Sequence, residues 1–348
     1  MKAWDEPPFG DGPGRPDARA IEDLHRQGID LDPAPGGTHR HGATEHPSDH
    51  AHPHVHSEPG QPPVVGIVGA GAVGTALGVA LSRAGWPVAA VASRDEARRE
   101  RFRSLVPGAR GFGEAAALLD EVELIILAVP DDAIQGLADE LRMYSGQAMV
   151  HTSGALGAEV LEPARAAGTQ LGGFHPLVAF ADTERAVAAL HGATVAVEGD
   201  DDLAELLAAM AEAVGATAVR LAPGSKAAYH AAAMLSAGGV VALLDAIAEL
   251  GAVAGLDEAG SLAIYGGLVE QTLGNARALG IARALTGPMV RGDVGTVERH
   301  LAALERHAPD VLPLYRAIAE REVAIAEGRG ALAPEVARSI RHAVARRD

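Results

Sequence analysis

Short apolar runs alternate with amphipathic stretches through the middle of the chain. Runs of aliphatic and β-branched residues predict strands at Val64–Val68, Val88–Ala92, Glu123–Val129, Ala148–Thr152, Gln170–Phe174, Thr194–Val197 and Ala216–Leu221. Helical spacing of the apolar residues between them predicts helices at Val73–Ala84, Asp95–Ser104, Asp132–Leu141 and Leu203–Val214. Near-continuous apolar strands that alternate with helices are typical of a mostly parallel, doubly wound α/β sheet.

The strand pattern stops after Pro223, and the rest of the chain predicts only helices. These helices are expected at Lys226–Gly255, Glu258–Leu279, Thr296–Arg306, Val311–Glu327 and Pro334–Arg346. We therefore predict a Rossmann-type domain over residues 63–221 and a smaller all-α domain over residues 222–348. The apolar stretch Ala231–Leu256 contains Asp245 and Glu249, which favours a buried helix of a soluble domain over a membrane span.

Residues 1–62 differ in composition from the rest of the chain. They hold eight of the fifteen histidines and ten of the twenty-one prolines, without a periodic apolar pattern. A segment with so little apolar surface to bury is predicted to be a disordered tail. Its histidines, above all His50, His52, His54 and His56, could bind Zn²⁺, Ni²⁺ or Co²⁺, because flexible imidazoles form adaptable sites. The alternative is an incidental low-complexity tail or a misassigned start.

Composition excludes several functional classes. The 348-residue chain has a net charge of −17 and no cysteine. The missing thiols exclude disulfides, thiolate catalysis and cysteine–zinc sites. The acidic charge disfavours nucleic acids and anionic membrane surfaces as partners, since both require a basic footprint. The first residues lack the apolar core of a secretion signal, so we expect a cytoplasmic protein.

The motif with the clearest chemistry is a glycine turn after the first predicted strand. Val64–Val68 leads into Gly69, Gly71 and Gly74, and a helix rich in small residues follows. In dinucleotide-binding folds the first glycine permits the tight turn, the second admits the pyrophosphate, and the third lets the helix approach the sheet. The helix N-terminus offers free N–H groups to the anion. The alternative is a glycine-rich turn in a chain rich in glycine and alanine.

The end of the second strand indicates which dinucleotide binds. Ser93 and Arg94 occupy the place where an NAD enzyme usually has an acidic residue, and Arg98 follows one helical turn later. A guanidinium suits a 2′-phosphate, so NADP is predicted, although Asp95 keeps NAD possible. The arginines could instead be a solvated face, with Ser93 and Glu96 forming a helix-capping box. The full set of predicted cofactor contacts is Gly69, Gly71, Ala72, Val73, Gly74, Ser93, Arg94, Val129, Pro130, Thr152 and Ser153, of which Ser153 could also be a helix cap.

Three residues are candidates for proton transfer. His175 ends a predicted strand, and Lys226 and His230 lie four residues apart on one face of the first C-terminal helix. A lysine desolvated beside a crevice can act as a general acid toward a carbonyl or imine. The alternatives are a structural histidine and a surface lysine. In the following break between helices, Asn275, Thr286 and Arg291 are candidate substrate contacts, and Arg291 is suited to a carboxylate; the alternative is a capping loop with an Arg–Asp pair.

Several of these segments together resemble the 6-phosphogluconate dehydrogenase-like superfamily. The matching segments are His151–Leu156, Phe174–Leu177, Lys226–Ala233, Ala284–Pro288 and Arg291–Asp293. They look most like a bacterial branch in which a conserved domain of unknown function follows a Rossmann-like domain. The resemblance implies that Lys226 occupies the catalytic lysine position of β-hydroxyacid dehydrogenases, where His230 replaces an asparagine. It also implies a homodimer formed through the helical domain.

The leading hypothesis is an NADP-dependent oxidoreductase that acts on a small carbonyl, hydroxy acid or imine, with Lys226 and His230 as acid/base groups. Two alternatives remain open. One is a regulator that binds NADP(H) without turnover, and the other is a metal-handling protein that uses the histidine-rich tail.

Overall fold

The computed structural model describes residues 61–166, 168–222 and 224–345. The histidines proposed for metal binding, His50, His52, His54 and His56, lie outside the described residues. The strands are β1 (Val65–Val68), β2 (Val88–Ala92), β3 (Arg110–Phe112), β4 (Leu124–Leu127), β5 (Ala148–His151), β6 (Gln170–Pro176), β7 (Thr194–Gly199) and β8 (Thr217–Arg220). All seven predicted strands therefore lie within two residues of their expected bounds at each end.

The strands form one sheet in the order β3-β2-β1-β4-β5-β6-β7-β8. The first six strands of this sheet are parallel, β7 runs antiparallel to β6, and β8 runs parallel to β7. The order 3-2-1-4-5-6 is that of a dinucleotide-binding fold, which confirms the predicted mostly parallel sheet. The carboxyl ends of β1, β2, β4, β5 and β6 consequently meet along one edge.

Helices cover both faces of the sheet. They are α1 (Ala72–Arg83), α2 (Glu96–Leu105), α3 (Asp131–Glu140), α4 (Thr183–Leu190) and α5 (Asp201–Ala213), with 3₁₀ turns at Ala115–Glu121 and Ala158–Ala164. Neighbouring side chains of a strand point to opposite faces, and Ile67 and Val68 of β1 accordingly belong to two separate cores. Burial on both faces explains why the strands are continuously apolar.

The C-terminal region contains only helices among its described residues. They are α6 (Lys226–Ser236), α7 (Gly238–Val253), α8 (Glu258–Leu279), α9 (Ile281–Ala284), α10 (Pro288–Arg291), α11 (Val294–His307), α12 (Leu312–Gly328) and α13 (Pro334–Ala345). Helices α10 to α13 enclose a core that includes Met289, Leu301, Val323 and Ile340. The expected all-α second domain is confirmed, with a break at Ala237 that divides the predicted helix Lys226–Gly255 into α6 and α7.

The expectation of a buried helix at Ala231–Leu256 is wrong for the single chain. The run Lys226–Val253 has a mean hydropathy of 1.9 in its most apolar window, yet only 6% of that window is buried. By length and composition alone, this run passes the test for a membrane span. Helix α7 packs on α8 and inserts only Ala246 into a core with residues of the α11–α12 region. The opposite face has no neighbour among the described residues.

Candidate functional site

The glycine turn after β1 has the geometry that the motif predicts. Gly69 has a φ of +109°, and a Cβ at this position would lie 2.2 Å from the carbonyl oxygen of Ala128. A Cβ on Gly74 would lie 2.0 Å from the carbonyl oxygen of Gly69, so only glycine lets α1 approach β1 this closely. Gly71, the N-cap of α1, has no atom within 4 Å of such a Cβ. Open space before a helix N-terminus is the shape that a pyrophosphate requires.

A cavity of about 580 Å³ lies over this turn. Its walls come from the carboxyl ends of β1, β2, β4 and β5, where a doubly wound sheet binds its ligand. The predicted cofactor contacts that line it are Gly69, Gly71, Ala72, Val73, Ser93, Arg94, Val129, Pro130 and Thr152. Gly74 and Ser153 are not among the lining residues, and both are buried directly beside it.

The β2 end of the cavity carries positive charge. Arg94 and Arg98 line it and are exposed. Asp95 caps α2 by accepting a hydrogen bond from the Arg98 N–H at 3.1 Å, and its other carboxylate oxygen lies 3.3 Å from the Arg98 guanidinium. The alternative that made Ser93 and Glu96 a capping box is therefore wrong, since the cap is Asp95. With its carboxylate engaged by the helix, Asp95 leaves Arg94 as the unpaired cation at this end of the described cavity.

The ends of β4 and β5 are joined by a serine–aspartate contact. The Ser153 hydroxyl donates to the Asp131 carboxylate at 2.8 Å and accepts from the N–H groups of Ala155 and Leu156 at 3.1 and 3.0 Å. Each hydrogen-bonding position of this hydroxyl is thereby used within the protein. The alternative that made Ser153 a helix cap is wrong, because the following helical turn Ala158–Ala164 has Gly157 as its N-cap. Thr152, one residue earlier, is half-buried and donates to the Leu127 carbonyl at 3.3 Å.

Lys226 forms a buried ion pair that the sequence analysis did not foresee. Its ammonium donates to the Glu198 carboxylate at 2.6 Å, and the two side chains are 7% and 21% exposed. Glu198 lies opposite Gly173 in the β6–β7 ladder, and a Cβ on Gly173 would be 2.7 Å from the Glu198 carboxylate. The carboxylate thus rests over a glycine, where any other side chain would displace it.

His175 is held between two neighbouring residues of α6. Its Nδ1 lies 3.2 Å from the Tyr229 hydroxyl, and its ring meets the rings of Tyr229 and His230 edge-on, with centroids 5.6 and 5.7 Å apart. A Cβ on Gly154 would lie 2.6 Å from the His175 Nε2 and 2.2 Å from the His230 Nδ1. The three predicted proton-transfer candidates therefore share one cluster at the carboxyl ends of β5 and β6.

Burial and charge keep two of the histidines of this cluster neutral. Burial, helped by the positive charge of Lys226, lowers the pKa of His175 from 6.5 to about 4. The same two causes lower the pKa of His151 to about 4, although its Nε2 lies 3.1 Å from the Gly157 carbonyl. Burial also raises the pKa of the Tyr229 hydroxyl above 10. At neutral pH these imidazoles accept or donate hydrogen bonds without carrying charge.

The three predicted substrate contacts lie apart from this cluster in the described chain. Asn275 on α8, Thr286 before α10 and Arg291 on α10 are all exposed. Asp293 caps α11 by accepting from the Thr296 N–H at 3.0 Å, which agrees with the alternative of a capping loop. No ion pair between Arg291 and Asp293 occurs among the described residues, so the expected Arg–Asp pair is replaced by an Asp–Thr contact.

Glu198 and Tyr229 are the two site residues that sequence reasoning missed. Tyr229 lies next to His230 on the helix that carries the predicted site residues Lys226 and His230, so its position on that helix could have identified it. Glu198 follows an apolar run in β7, and its role depends on the antiparallel pairing of β7 with β6, which the pattern of the chain does not reveal.

Two family models match the chain. A Rossmann-like domain matches residues 52–176, and the domain of unknown function DUF2520 matches residues 193–322. Comparison with curated proteins gave no match. These are the Rossmann-like domain and the following domain of unknown function that the motifs resemble, which confirms the resemblance at the level of the two domains.

Solved structures share this fold at low sequence identity. A protein described as a candidate NADP oxidoreductase of Bacteroides fragilis is 23% identical over 75% of this chain and 98% of its own, with a TM-score of 0.63. A protein of Thermotoga maritima is 24% identical over 77% of this chain and 100% of its own, with a TM-score of 0.60. A reductive aminase of Aspergillus terreus, solved with NADPH, is 19% identical over 80% of this chain and 99% of its own, with a TM-score of 0.58. These similarities establish the two-domain fold.

Proposed function

We propose that this protein is an NADP-dependent oxidoreductase that transfers a hydride to or from a small carbonyl, hydroxy-acid or imine substrate. The observation that carries the proposal is the continuity of two sites along one sheet edge. The cavity over the glycine turn ends at Pro130 and Thr152, and the polar cluster begins at the adjoining residues Asp131 and Ser153. A dinucleotide seated in this cavity brings its reactive end to the histidines and Lys226.

NADP is favoured over NAD by the free charge at the β2 end. Arg94 offers a guanidinium to a 2′-phosphate, whereas Asp95 caps a helix; Glu114, after β3, lines this part of the cavity as an exposed carboxylate. Arg94→Ala should weaken NADPH binding about 10- to 100-fold, the effect of one charge-assisted hydrogen bond, and NADH binding far less. Arg101→Ala, on the following helix α2 but outside the cavity, is the control, and titration calorimetry measures both cofactors. Equal losses for the two cofactors would refute the NADP assignment.

Lys226 and His230 are proposed as the acid/base groups, with His175 beside them. The bound cofactor supplies or accepts the hydride. Glu198 holds the Lys226 ammonium in place, and the imidazoles of His175 and His230 can pass a proton to or from the reacting oxygen or nitrogen. Gly154 and Gly173 let these side chains lie close to the sheet edge, because a Cβ at either position would meet His175 and His230 or the Glu198 carboxylate.

Replacement of Lys226 separates an enzyme from a cofactor-binding regulator. Lys226→Ala should retain NADPH binding and lose at least 100-fold in turnover, as expected when a general acid is removed. Turnover is followed as NADPH oxidation against a panel of carbonyl compounds and imines, and thermal unfolding verifies that the variant is folded. A wild-type protein that binds NADPH but oxidises it with no member of the panel would favour the regulator.

We further propose a cytoplasmic homodimer formed through α6, α7 and α8. These helices expose large apolar side chains, including Leu235, Val241 and Leu268 at 65%, 66% and 59%. An apolar surface of this kind marks an interface, and Asp245 and Glu249 disfavour a lipid environment. Light scattering after size-exclusion chromatography should give twice the mass of one chain. Val241→Glu should yield monomers, whereas Val219→Glu, on β8, should not; a monomeric wild type would overturn the proposal.

A further inference from the structure

The polar cluster beside the cavity contains more carboxylates than cations. Two carboxylates and one ammonium belong to it by direct contact: Glu198 binds Lys226 at 2.6 Å, and Asp131 accepts the Ser153 hydroxyl at 2.8 Å. Asp131 is exposed and lies next to the cavity, because it follows the lining residue Pro130. The described cluster therefore has one carboxylate more than it has ammonium groups.

The one ammonium of the cluster has its own counter-ion. Lys226 lies 2.6 Å from the Glu198 carboxylate, and its side chain is 7% exposed. Gly173 supports the pair, since its missing Cβ leaves the space that the carboxylate fills. A substrate carboxylate that approached Lys226 would have to displace Glu198 or share the ammonium with it. The charge of Lys226 is thus already balanced within the protein.

His151 and His175 do not replace this cation at neutral pH. His151 is fully buried, and His175 is wedged against Tyr229 and His230. Burial and the nearby Lys226 hold the pKa of both His151 and His175 at about 4, so they are uncharged. Arg291, the predicted carboxylate partner, is exposed on α10 and makes no hydrogen bond to the cluster in the described chain.

We propose that the site takes a cationic iminium substrate that carries no carboxylate next to its reacting carbon. This inference rests on the proposed function and narrows its substrate class. The excess of carboxylates stabilises a positive charge at this end of the cavity and repels a second negative one. Neither a ketone nor an imino acid fits this charge distribution, because a ketone is uncharged and an imino acid carries a carboxylate.

The chemistry of iminium reduction fits this charge distribution. A hydride adds to the iminium carbon, the C=N π electrons move onto nitrogen, and a neutral amine forms as the nicotinamide becomes the cation. The positive charge shifts within the site and its total is unchanged, so Asp131 and Glu198 stabilise both sides of the step. The imine nitrogen receives its proton from the acid/base groups Lys226 and His230 before the hydride adds, so that no further proton is needed in the transfer step.

Binding of matched product analogues tests the substrate class without turnover. Pyrrolidine and piperidine are cations at neutral pH, and L-proline and L-pipecolate are the same rings with a carboxylate added. Titration calorimetry with the full chain saturated with NADPH, whose nicotinamide is neutral as in the iminium complex, should give each cyclic amine at least a tenfold lower Kd than its amino acid. Equal or tighter binding of the amino acids, or binding of neither class, would overturn the proposal.

A first titration with NADPH alone distinguishes this failure from failure of the proposed function. A protein that does not bind NADPH refutes the proposed function, and the iminium assignment with it. A protein that binds NADPH and prefers the amino acids refutes only the assignment of the substrate class.

Glu198→Gln changes the charge of the cluster while preserving the shape of the side chain. The ammonium of Lys226 then lacks its carboxylate, so the preference for the amine over the amino acid should fall at least tenfold, through both weaker amine binding and stronger amino-acid binding. Asp202→Asn, an exposed acid at the start of α5, makes the same charge change away from the cluster and should leave the ratio unaltered. An unchanged ratio in folded Glu198→Gln protein would contradict the role given to this carboxylate.

Discussion

Breaking the ion pair between Lys226 and Glu198 should destabilise the protein more than any exposed pair does. Removal of one partner of a buried pair leaves an uncompensated charge and costs about 3 to 5 kcal/mol. The Glu198 side chain is 21% exposed, so water partly solvates it and the lower end of that range applies to Glu198→Ala. A loss of about 3 kcal/mol corresponds to a fall in Tm of roughly 4 °C for a chain of this size.

A double-mutant cycle isolates the pair from the loss of packing. Lys226→Met in the Glu198→Ala background removes the stranded charge, so the double variant should recover about 2 kcal/mol relative to the sum of the single losses. Urea unfolding at neutral pH measures each free energy of unfolding. The exposed pair of Glu335 and Arg338, whose side chains are 74% and 70% exposed, is the control and should show a coupling below about 0.5 kcal/mol. Additive losses at Lys226 and Glu198 would refute the buried-pair reasoning.

Three further predictions concern the glycine turn and the histidines. Gly74→Ala places a Cβ 2.0 Å from a backbone oxygen and should cost about 3 kcal/mol or more in urea unfolding, whereas Gly71→Ala should cost under about 1 kcal/mol and still weaken NADP⁺ binding in calorimetry. His151 has a pKa of about 4 in the folded protein and 6.5 in the unfolded chain, so the unfolded chain binds the proton first as the pH is lowered. The free energy of unfolding should therefore decrease by about 1.4 kcal/mol for each pH unit by which the pH falls between those values. His151→Gln should flatten this loss between about pH 7 and pH 5, and an unaltered slope would count against it. Tyr229→Phe should change the tautomer of His175 seen by long-range ¹H–¹⁵N NMR and lower kcat about tenfold at unchanged KM; an identical NMR signature would show that the hydroxyl does not orient the ring.

The dinucleotide-binding half of the fold was predictable because its signals are local. The strand Val64–Val68 and its glycines lie within a dozen residues, and each glycine has a separate steric reason that the structure confirms. Strand β3 escaped prediction because Arg110 and Gly111 are exposed and the strand has only three residues. Helix α4 was missed for a related reason, since two of its eight residues, Ala186 and Leu190, are buried.

The candidate site was predictable only residue by residue. His175, Lys226 and His230 stood out by residue type, but their common location depends on the packing of α6 against the ends of β5 and β6. Glu198 has no local signal, because it acts through an antiparallel strand pairing and a lysine 28 residues away. The helices α6 to α8 were predicted to be buried, but their apolar face is exposed in the single chain. Hydropathy indicates that such a face is buried against another surface, and it does not show whether that surface belongs to the same chain or to another one.

Glycine has the same role at three points of the sheet edge, and this relates the cofactor cavity to the polar cluster. Gly74 lets α1 reach β1, Gly154 admits the rings of His175 and His230, and Gly173 admits the carboxylate that binds Lys226. At each point a Cβ would meet a polar atom within 2.7 Å, so the missing side chain sets the distance between the sheet and the group above it. Because Gly154 follows β5 and Gly173 lies on β6, at the end of the cavity away from Arg94, a side chain at either one should impair the chemical step and leave NADP⁺ bound. A side chain at Gly74 should instead impair NADP⁺ binding. Cofactor binding and the chemical step would then depend on opposite ends of the same sheet edge and could be altered separately.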